Sequence, residues 1–120
     1  MFEQLLTAEQ KEYINIDSGL ARIRGNKVIY KKMLMLFLQS EEFNALEQAL
    51  TEQNLPKAAD VAHAIKGITG NLSLPLLFGI STKILGQLRE GEVSQTDIAE
   101  YRIILKETRQ LVEKVAENID

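Results

Sequence analysis

The sequence contains no cysteine in its 120 residues. Disulfide bonds, thiolate nucleophiles and cysteine-based metal sites are therefore all excluded. Histidine occurs once, at His63, and a single imidazole without any thiolate argues against a structural zinc site. No apolar run approaches the roughly 18 residues of a membrane span. We therefore predict that the chain itself binds no metal and does not cross a membrane.

Proline and glycine are also scarce, with two and seven residues respectively, so no stretch resembles a linker. Hydrophobic residues make up 45% and charged residues 26%, the balance of a single globular domain. The net charge of -3 argues against a nucleic-acid partner, which would require a basic face. Residues 1–10 lack a basic segment followed by an apolar stretch, so we expect no secretory signal. We expect a cytoplasmic, monomeric protein.

Hydrophobic residues recur with helical spacing along almost the whole chain, which predicts an all-α fold. A short amphipathic segment at 2–13 and a short helix at 18–24 come first. Four longer helices follow, at about 27–52, 56–72, 74–90 and 95–119. Short loops between helices of this length favour an antiparallel up-down four-helix bundle, with the N-terminal pieces covering one end. Residues 1–120 would then form one domain.

Capping residues mark the expected helix ends. Helix starts are predicted at Asp17, Asn26, Asn54, Ser73 and Ser94, and helix ends at Gly25 and Gly91. Asp97, three residues after Ser94, would complete a capping box. The stretch 33–38 is apolar on every side of its helix, so we expect several neighbours to bury it.

The helix predicted at 56–72 places its only histidine on the outer face. At about 100° per residue, His63 lies roughly 160° from the centre of the apolar stripe. That stripe consists of Ala58, Val61, Ala62, Ile65, Ile68, Thr69 and Leu72. Lys66, Gly67 and Gly70 follow His63 at steps of three, four and seven and share its face.

Two interpretations of this face compete. A surface histidine beside a surface lysine is the simpler one, but it leaves both interior glycines unexplained, although each costs about 0.8–1 kcal/mol relative to alanine. The other is phosphoryl transfer, in which an imidazole is a good nucleophile. Lys66 would neutralise phosphoryl oxygens, and the flat glycine surface would admit a partner that brings a divalent metal and a carboxylate.

Residues 62–72 read Ala-His-Ala-Ile-Lys-Gly-Ile-Thr-Gly-Asn-Leu. They resemble the central motif of histidine-containing phosphotransfer domains, approximately Ala-His-x-Leu-Lys-Gly-x-x-x-Asn-Leu-Gly. The likeness extends over about residues 12–118. It implies a phosphocarrier without kinase activity or nucleotide binding, phosphorylated on His63, with Lys66 as phosphate contact and Gly67 as docking surface. We expect Gly70 and Ala59 to belong to the same docking surface. The implied partners are receiver domains, which would hold the Mg²⁺, and a hybrid histidine kinase.

The sequence departs from the family pattern at two positions. Ser73 stands where the family usually has glycine. Leu85 stands twenty-two residues after the histidine, where the family often has Glu or Gln bonded to the imidazole. Either Lys83 or Gln87 substitutes for that second contact, or the ring is less well oriented.

Other surfaces have alternative interpretations. Arg22, Arg24, Lys27, Lys31 and Lys32 form a basic cluster that either meets an acidic partner or is a solvated helix surface. Met33, Met35, Phe37 and Phe78 either pack in the core or form an apolar docking patch beside His63.

A helical interaction module that is never phosphorylated is the competing function, and an enzyme comes third because no second catalytic side chain accompanies His63.

Overall fold

The computed structural model describes residues 5–119, and within that range it contains helices and turns but no strand. The all-α prediction is confirmed. The helices are α1 (Ile16–Ala21), α2 (Lys27–Gln39), α3 (Glu42–Thr51), α4 (Leu55–Asn71), α5 (Pro75–Arg89) and α6 (Gln95–Glu117). The amphipathic segment predicted at 2–13 lies partly outside the described residues, and the part within them holds a 3-10 helix, Gln10–Glu12. No described helix has the length and apolarity that a membrane crossing requires.

One hydrophobic core joins the helices. Helix α4 packs between α3 and α5, α5 packs against α6, and α6 packs against α2. The largest fully buried side chains include Tyr30, Leu34, Phe37, Leu46, Ile65, Leu77, Ile84, Ile98 and Tyr101. They come from all five of the longer helices, α2 to α6, which explains why each of these helices shows helical hydrophobic spacing.

The single helix predicted at 27–52 is wrong, because the structure divides it into α2 and α3. The break falls at Ser40, whose ψ of 134° is extended. Its hydroxyl oxygen accepts a hydrogen bond from the amide of Glu42, the first residue of α3, at 3.2 Å. A serine side chain that bonds nearby backbone offers the chain this alternative to a continuous helix. Residues 39–42 contain no proline or glycine that would have indicated the break.

The apolar stretch at 33–38 is not buried throughout, contrary to the prediction. Leu34 and Phe37 lie in the core, whereas Met35 and Leu36 are exposed. Helix α2 packs against α6 and contacts α1, so one stripe of α2 faces the protein and the opposite stripe faces outward.

Three predicted N-caps are confirmed. The side chains of Asn26, Asn54 and Ser94 each accept a hydrogen bond from the amide three residues further on. The capping box of α6 is only half formed, because the amide of Ser94 donates to Gln87 Oε1 at 3.2 Å and not to Asp97. The bounds of α4, α5 and α6 agree with the predicted ones to within two residues.

Two predicted N-caps are wrong. Helix α1 begins two residues earlier than expected, where Asn15 Oδ1 accepts from the amide of Ser18 at 3.0 Å, so Asp17 lies in the first turn. Ser73 does not cap α5, since Leu74 occupies that position. The φ of Ser73 is +56°, a left-handed conformation at the corner between α4 and α5.

Candidate functional site

Helix α4 holds His63 in a fixed position because the opposite side of the helix is in the core. Ala62 and Ile65, on either side of the histidine in sequence, are at most 1% exposed, while His63 itself is exposed. Buried Thr69 donates its hydroxyl to the carbonyl of Ile65 at 2.9 Å, so its polar group is satisfied within the helix. The opposite face of the helix is packed in the core, and the imidazole is exposed on the face that the residue spacing predicts.

A groove of about 530 Å³ runs beside the histidine. Four of the predicted site residues, His63, Lys66, Gly67 and Gly70, line it together. The other walls come from the N-terminal part of the chain and from the α4–α5 corner: Asn15, Ser18, Arg22, Thr69, Asn71, Ser73, Leu74, Pro75 and Phe78. These lining residues include two cations and no carboxylate. The groove is therefore suited to an anion, although the whole chain has a net charge of -3.

The polar groups of the site are available to an external ligand. Within residues 5–119, the His63 imidazole makes no hydrogen bond to another side chain or to the backbone, and Lys66 forms no ion pair. Lys66 is half-buried and lines the groove, as is typical of a lysine whose apolar stem packs on the protein while its charged end stays accessible. Ala59, one turn before His63, is half-buried at the edge of the core and does not line the groove.

The two glycines of this face differ in their surroundings. A Cβ added to Gly67 would meet nothing within 4 Å beyond its own helix backbone. A Cβ added to Gly70 would lie 3.2 Å from Cε1 and 3.3 Å from Cδ1 of the Phe78 ring. Gly67 therefore leaves open surface one turn from His63, whereas Gly70 accommodates the Phe78 ring. Phe78, 37% exposed, forms part of the groove wall and not of the core.

Lys83 and Gln87, the two candidates for a second contact to the imidazole, have a different partner. Gln87 Nε2 donates to Asp97 Oδ2 at 2.6 Å, and Lys83 Nζ lies 3.3 Å from Asp97 Oδ1. The hydrogen bond from Gln87 is the main reason that the pKa of Asp97 is lowered, and the ammonium of Lys83 adds to it. Leu85 is buried. The structure brings neither candidate to His63.

The link between Arg22 and Ser73 also contributes to the site, and the residue spacing did not predict it. Ser73 Oγ accepts a hydrogen bond from Arg22 Nε at 3.3 Å and donates one to Ser18 Oγ at 2.9 Å. The carbonyl of Ser73 also accepts from the amide of Asn15 at 2.9 Å. A left-handed backbone at serine costs about 1 kcal/mol, which these contacts offset. In the sequence, the one indication of this link is that Ser73 stands where the family usually has glycine.

Comparison with known families connects this geometry to a function. The sequence model of the Hpt domain matches residues 32–118, well over half of the chain. The chain belongs to the Hpt domain family. Membership implies histidine phosphotransfer in two-component phosphorelays and interaction with receiver domains or histidine kinases. Searches among curated proteins and among solved structures returned no match. The matched range includes His63 and Lys66, whereas α1 with Arg22 precedes it.

Proposed function

We propose that this Hpt domain carries a phosphoryl group on His63, accepting it from an aspartate of one receiver domain and passing it to an aspartate of another. The observation that carries this proposal is the exposed imidazole beside Lys66 and the open surface at Gly67, in a groove without a carboxylate. An accessible nucleophile, a nearby cation and unobstructed space are what phosphoryl transfer from a docked partner requires.

The transfer is a displacement at phosphorus. A ring nitrogen of His63 forms a bond to phosphorus while the bond from phosphorus to the aspartyl oxygen of the donor breaks, and the electron pair leaves with the aspartate carboxylate. The second transfer reverses these roles on another receiver. Lys66 neutralises charge on the equatorial oxygens, and the bare backbone at Gly67 lets the partner's loops approach the ring.

The remaining chemistry is proposed to belong to the partner. A divalent metal prefers oxygen ligands, chiefly carboxylates, and no Asp or Glu lines the groove. Residues 5–119 also contain no group of three or more His, Cys, Asp or Glu residues that could hold a metal ion. We therefore assign Mg²⁺ to the receiver, and we assign no kinase or nucleotide-binding activity to this chain. The proposed setting is a cytoplasmic monomer whose partners are receivers and a hybrid histidine kinase.

The helix order supports an antiparallel up-down arrangement for the bundle. Three residues, 72–74, join α4 to α5, and five, 90–94, join α5 to α6. Connections this short between helices that pack side by side favour reversal of direction at each turn. In this arrangement α2 and α3 together take the place of the first bundle helix, bent at Ser40.

A helical adaptor that is never phosphorylated is the second candidate. Its support is the outward stripe of α2, where Val28 and Leu36 are 74% and 59% exposed and Ile29 and Met35 are exposed as well. Apolar exposure of this kind is typical of a protein-binding surface. An adaptor function does not explain why an unpaired histidine lies in a groove lined by cations, so the phosphocarrier is the better-supported function.

The test is a two-step relay with purified proteins. The chain is mixed with a phosphorylated receiver domain from the same organism, and a second receiver is then added. Label should pass to the wild-type chain and onward, without nucleotide. His63→Gln is the matched control, and it should take up no label. A chain that binds the receiver but never acquires label would favour the adaptor.

A further inference from the structure

We propose that Arg22 is a second phosphate-contacting residue of the groove, which supplies a positive charge from α1 to the phosphoryl group on His63. This inference rests on the proposed role of His63 as phosphoryl carrier. Lys66 reaches the groove from the same helix as the histidine, whereas Arg22 reaches it from the end of α1. The two cations would hold the phosphoryl oxygens from different elements of the fold.

The charge pattern of the groove supports this role. Arg22 and Lys66 are the cations among the lining residues, and no Asp or Glu accompanies them. A planar guanidinium suits phosphate because two of its N–H groups can donate to two oxygens in parallel. The groove volume of about 530 Å³ leaves ample room for a phosphoryl group beside the imidazole.

The contacts of Arg22 position its side chain without using up its donors. Its Nε bonds to Ser73 Oγ, and both terminal nitrogens lack a partner within residues 5–119. Ser73 is in turn held by Ser18 and by the amide of Asn15. Part of the side-chain entropy of Arg22 is therefore lost before any ligand arrives, which makes subsequent binding less costly.

Two other arginines show what a purely structural role looks like in this protein. The terminal nitrogen of Arg102 lies 2.7 Å from a carboxylate oxygen of Glu47, and its Nε donates to the other oxygen. Arg109 donates a terminal nitrogen to the carbonyl of Leu38 and lies over the ring of Phe43. Both use their terminal nitrogens within the protein. Arg22 keeps them free beside the one histidine of the chain.

The experiment requires no partner protein. The full chain is phosphorylated with phosphoramidate, where the ring nitrogen of His63 bonds to phosphorus as the bond from phosphorus to nitrogen breaks and ammonia leaves. The pKa of the phosphoryl group is then measured by ³¹P NMR for the wild type, Arg22→Gln, Arg22→Lys and Arg24→Gln. Arg24 is the matched control, because it lies two residues away and does not line the groove.

A nearby positive charge stabilises the dianionic phosphoryl group, so its removal should raise the phosphoryl pKa. We expect a rise of about 0.5 in Arg22→Gln, a return toward the wild-type value in Arg22→Lys and no change in Arg24→Gln. Equal values for Arg22→Gln and the wild type, or an equal rise in Arg24→Gln, would overturn the inference.

A measurement on the wild type covers the case in which Arg22→Gln fails to fold. The side-chain Nε–H resonance of Arg22 should move when His63 becomes phosphorylated, and an unmoved resonance would overturn the contact.

The experiments distinguish a failure of the relay function from a failure of the role of Arg22. Labelling by phosphoramidate but never by a receiver would overturn the relay function alone, whereas a normal relay with an unmoved resonance would overturn the role of Arg22 alone. A wild-type His63 that neither reagent labels would overturn both.

Discussion

Two polar corners of the protein, on opposite halves of α5, use their charged groups in contrasting ways. Near the C-terminal half, Asp97 accepts from Gln87 and pairs with Lys83, and Gln87 also accepts from the amide of Ser94. Near the N-terminal end, the ammonium of Lys66 and the imidazole of His63 have no partner within residues 5–119. We call the first, made of Lys83, Gln87, Ser94 and Asp97, the closed corner, and the second, made of His63 and Lys66, the open corner.

The difference separates polar groups that stabilise the fold from polar groups that are available for chemistry. The closed corner links the end of α5 to the start of α6, and each oxygen of its carboxylate already has a partner within the protein. The open corner gains little stability from its cations, and it can bind an anion without first breaking a contact. Substitutions at the closed corner should therefore change stability, and substitutions at the open corner should change phosphotransfer.

The largest expected effect is that of His63→Gln at the open corner. Phosphotransfer should be abolished because His63 is the imidazole of the groove lining, and the glutamine amide that replaces it is not a nucleophile. The free energy of unfolding should change by no more than about 0.5 kcal/mol, since the ring is exposed and unbonded. Parallel transfer assays and thermal melts test this. A loss of several kcal/mol would mean that the histidine is a structural residue.

Gly67→Gln should slow phosphotransfer by about a hundredfold. The new side chain would stand one turn from His63, in surface that is now empty, and would displace the docked partner by about 1 Å. Its melting temperature should equal or exceed that of the wild type, because glycine is the poorer helix former by up to about 1 kcal/mol. Both quantities are measured on one preparation. A destabilised variant that transfers at the wild-type rate would contradict the docking role of this surface.

Asp97→Asn should affect the closed corner alone. It weakens the contacts to Lys83 and Gln87, so the melting temperature should fall while the rate of phosphotransfer stays at the wild-type value. Because the folded state lowers the pKa of Asp97, its stabilisation is complete above the ordinary pKa of about 4 and is lost as the pH falls through the lowered folded value.

The difference in stability between the wild type and Asp97→Asn should therefore shrink as the pH is lowered from about 5 to about 2. Urea unfolding at several pH values measures it. A difference that grows on acidification would mean that the carboxylate is not stabilised in its charged form.

The smallest expected effect distinguishes the two glycines of α4. Gly67→Ala should stabilise the domain by up to about 1 kcal/mol, or about 4 °C, because the methyl group meets nothing. Gly70→Ala should gain less, since its methyl group must push the ring of Phe78 aside. Melting temperatures of the two variants decide this. An equal gain at both positions would show that the Phe78 ring yields without cost.

The fold was predictable from the sequence where local signals agreed with packing. Asn26, Asn54 and Ser94 cap helices as their spacing suggests, and the buried stripe of α4 follows the 3.6-residue period. The break at Ser40 was not predictable, because serine tolerates both a helix interior and a cap. The exposure of Met35 depends on which neighbours α2 meets, and that information is not local to the helix.

The site was predictable only in part for a similar reason. His63, Lys66 and Gly67 lie within one helix, so their common face follows from the period. Arg22 reaches the groove through Ser73, fifty-one residues away in the chain. The partners of Lys83 and Gln87 likewise depend on Asp97 of the next helix. Contacts between different helices depend on how the helices pack, and the residue spacing within one helix does not reveal them.

The most direct test of the phosphocarrier function is to locate the phosphoryl group after transfer from a receiver. The wild-type chain is incubated with a phosphorylated receiver domain, and the modified residue is identified by mass spectrometry under conditions that preserve phosphohistidine. The phosphoryl group should be found on His63 alone, labile in acid and stable in base. Phosphate on a serine or an aspartate of this chain, or label retained by His63→Gln, would contradict the proposed function.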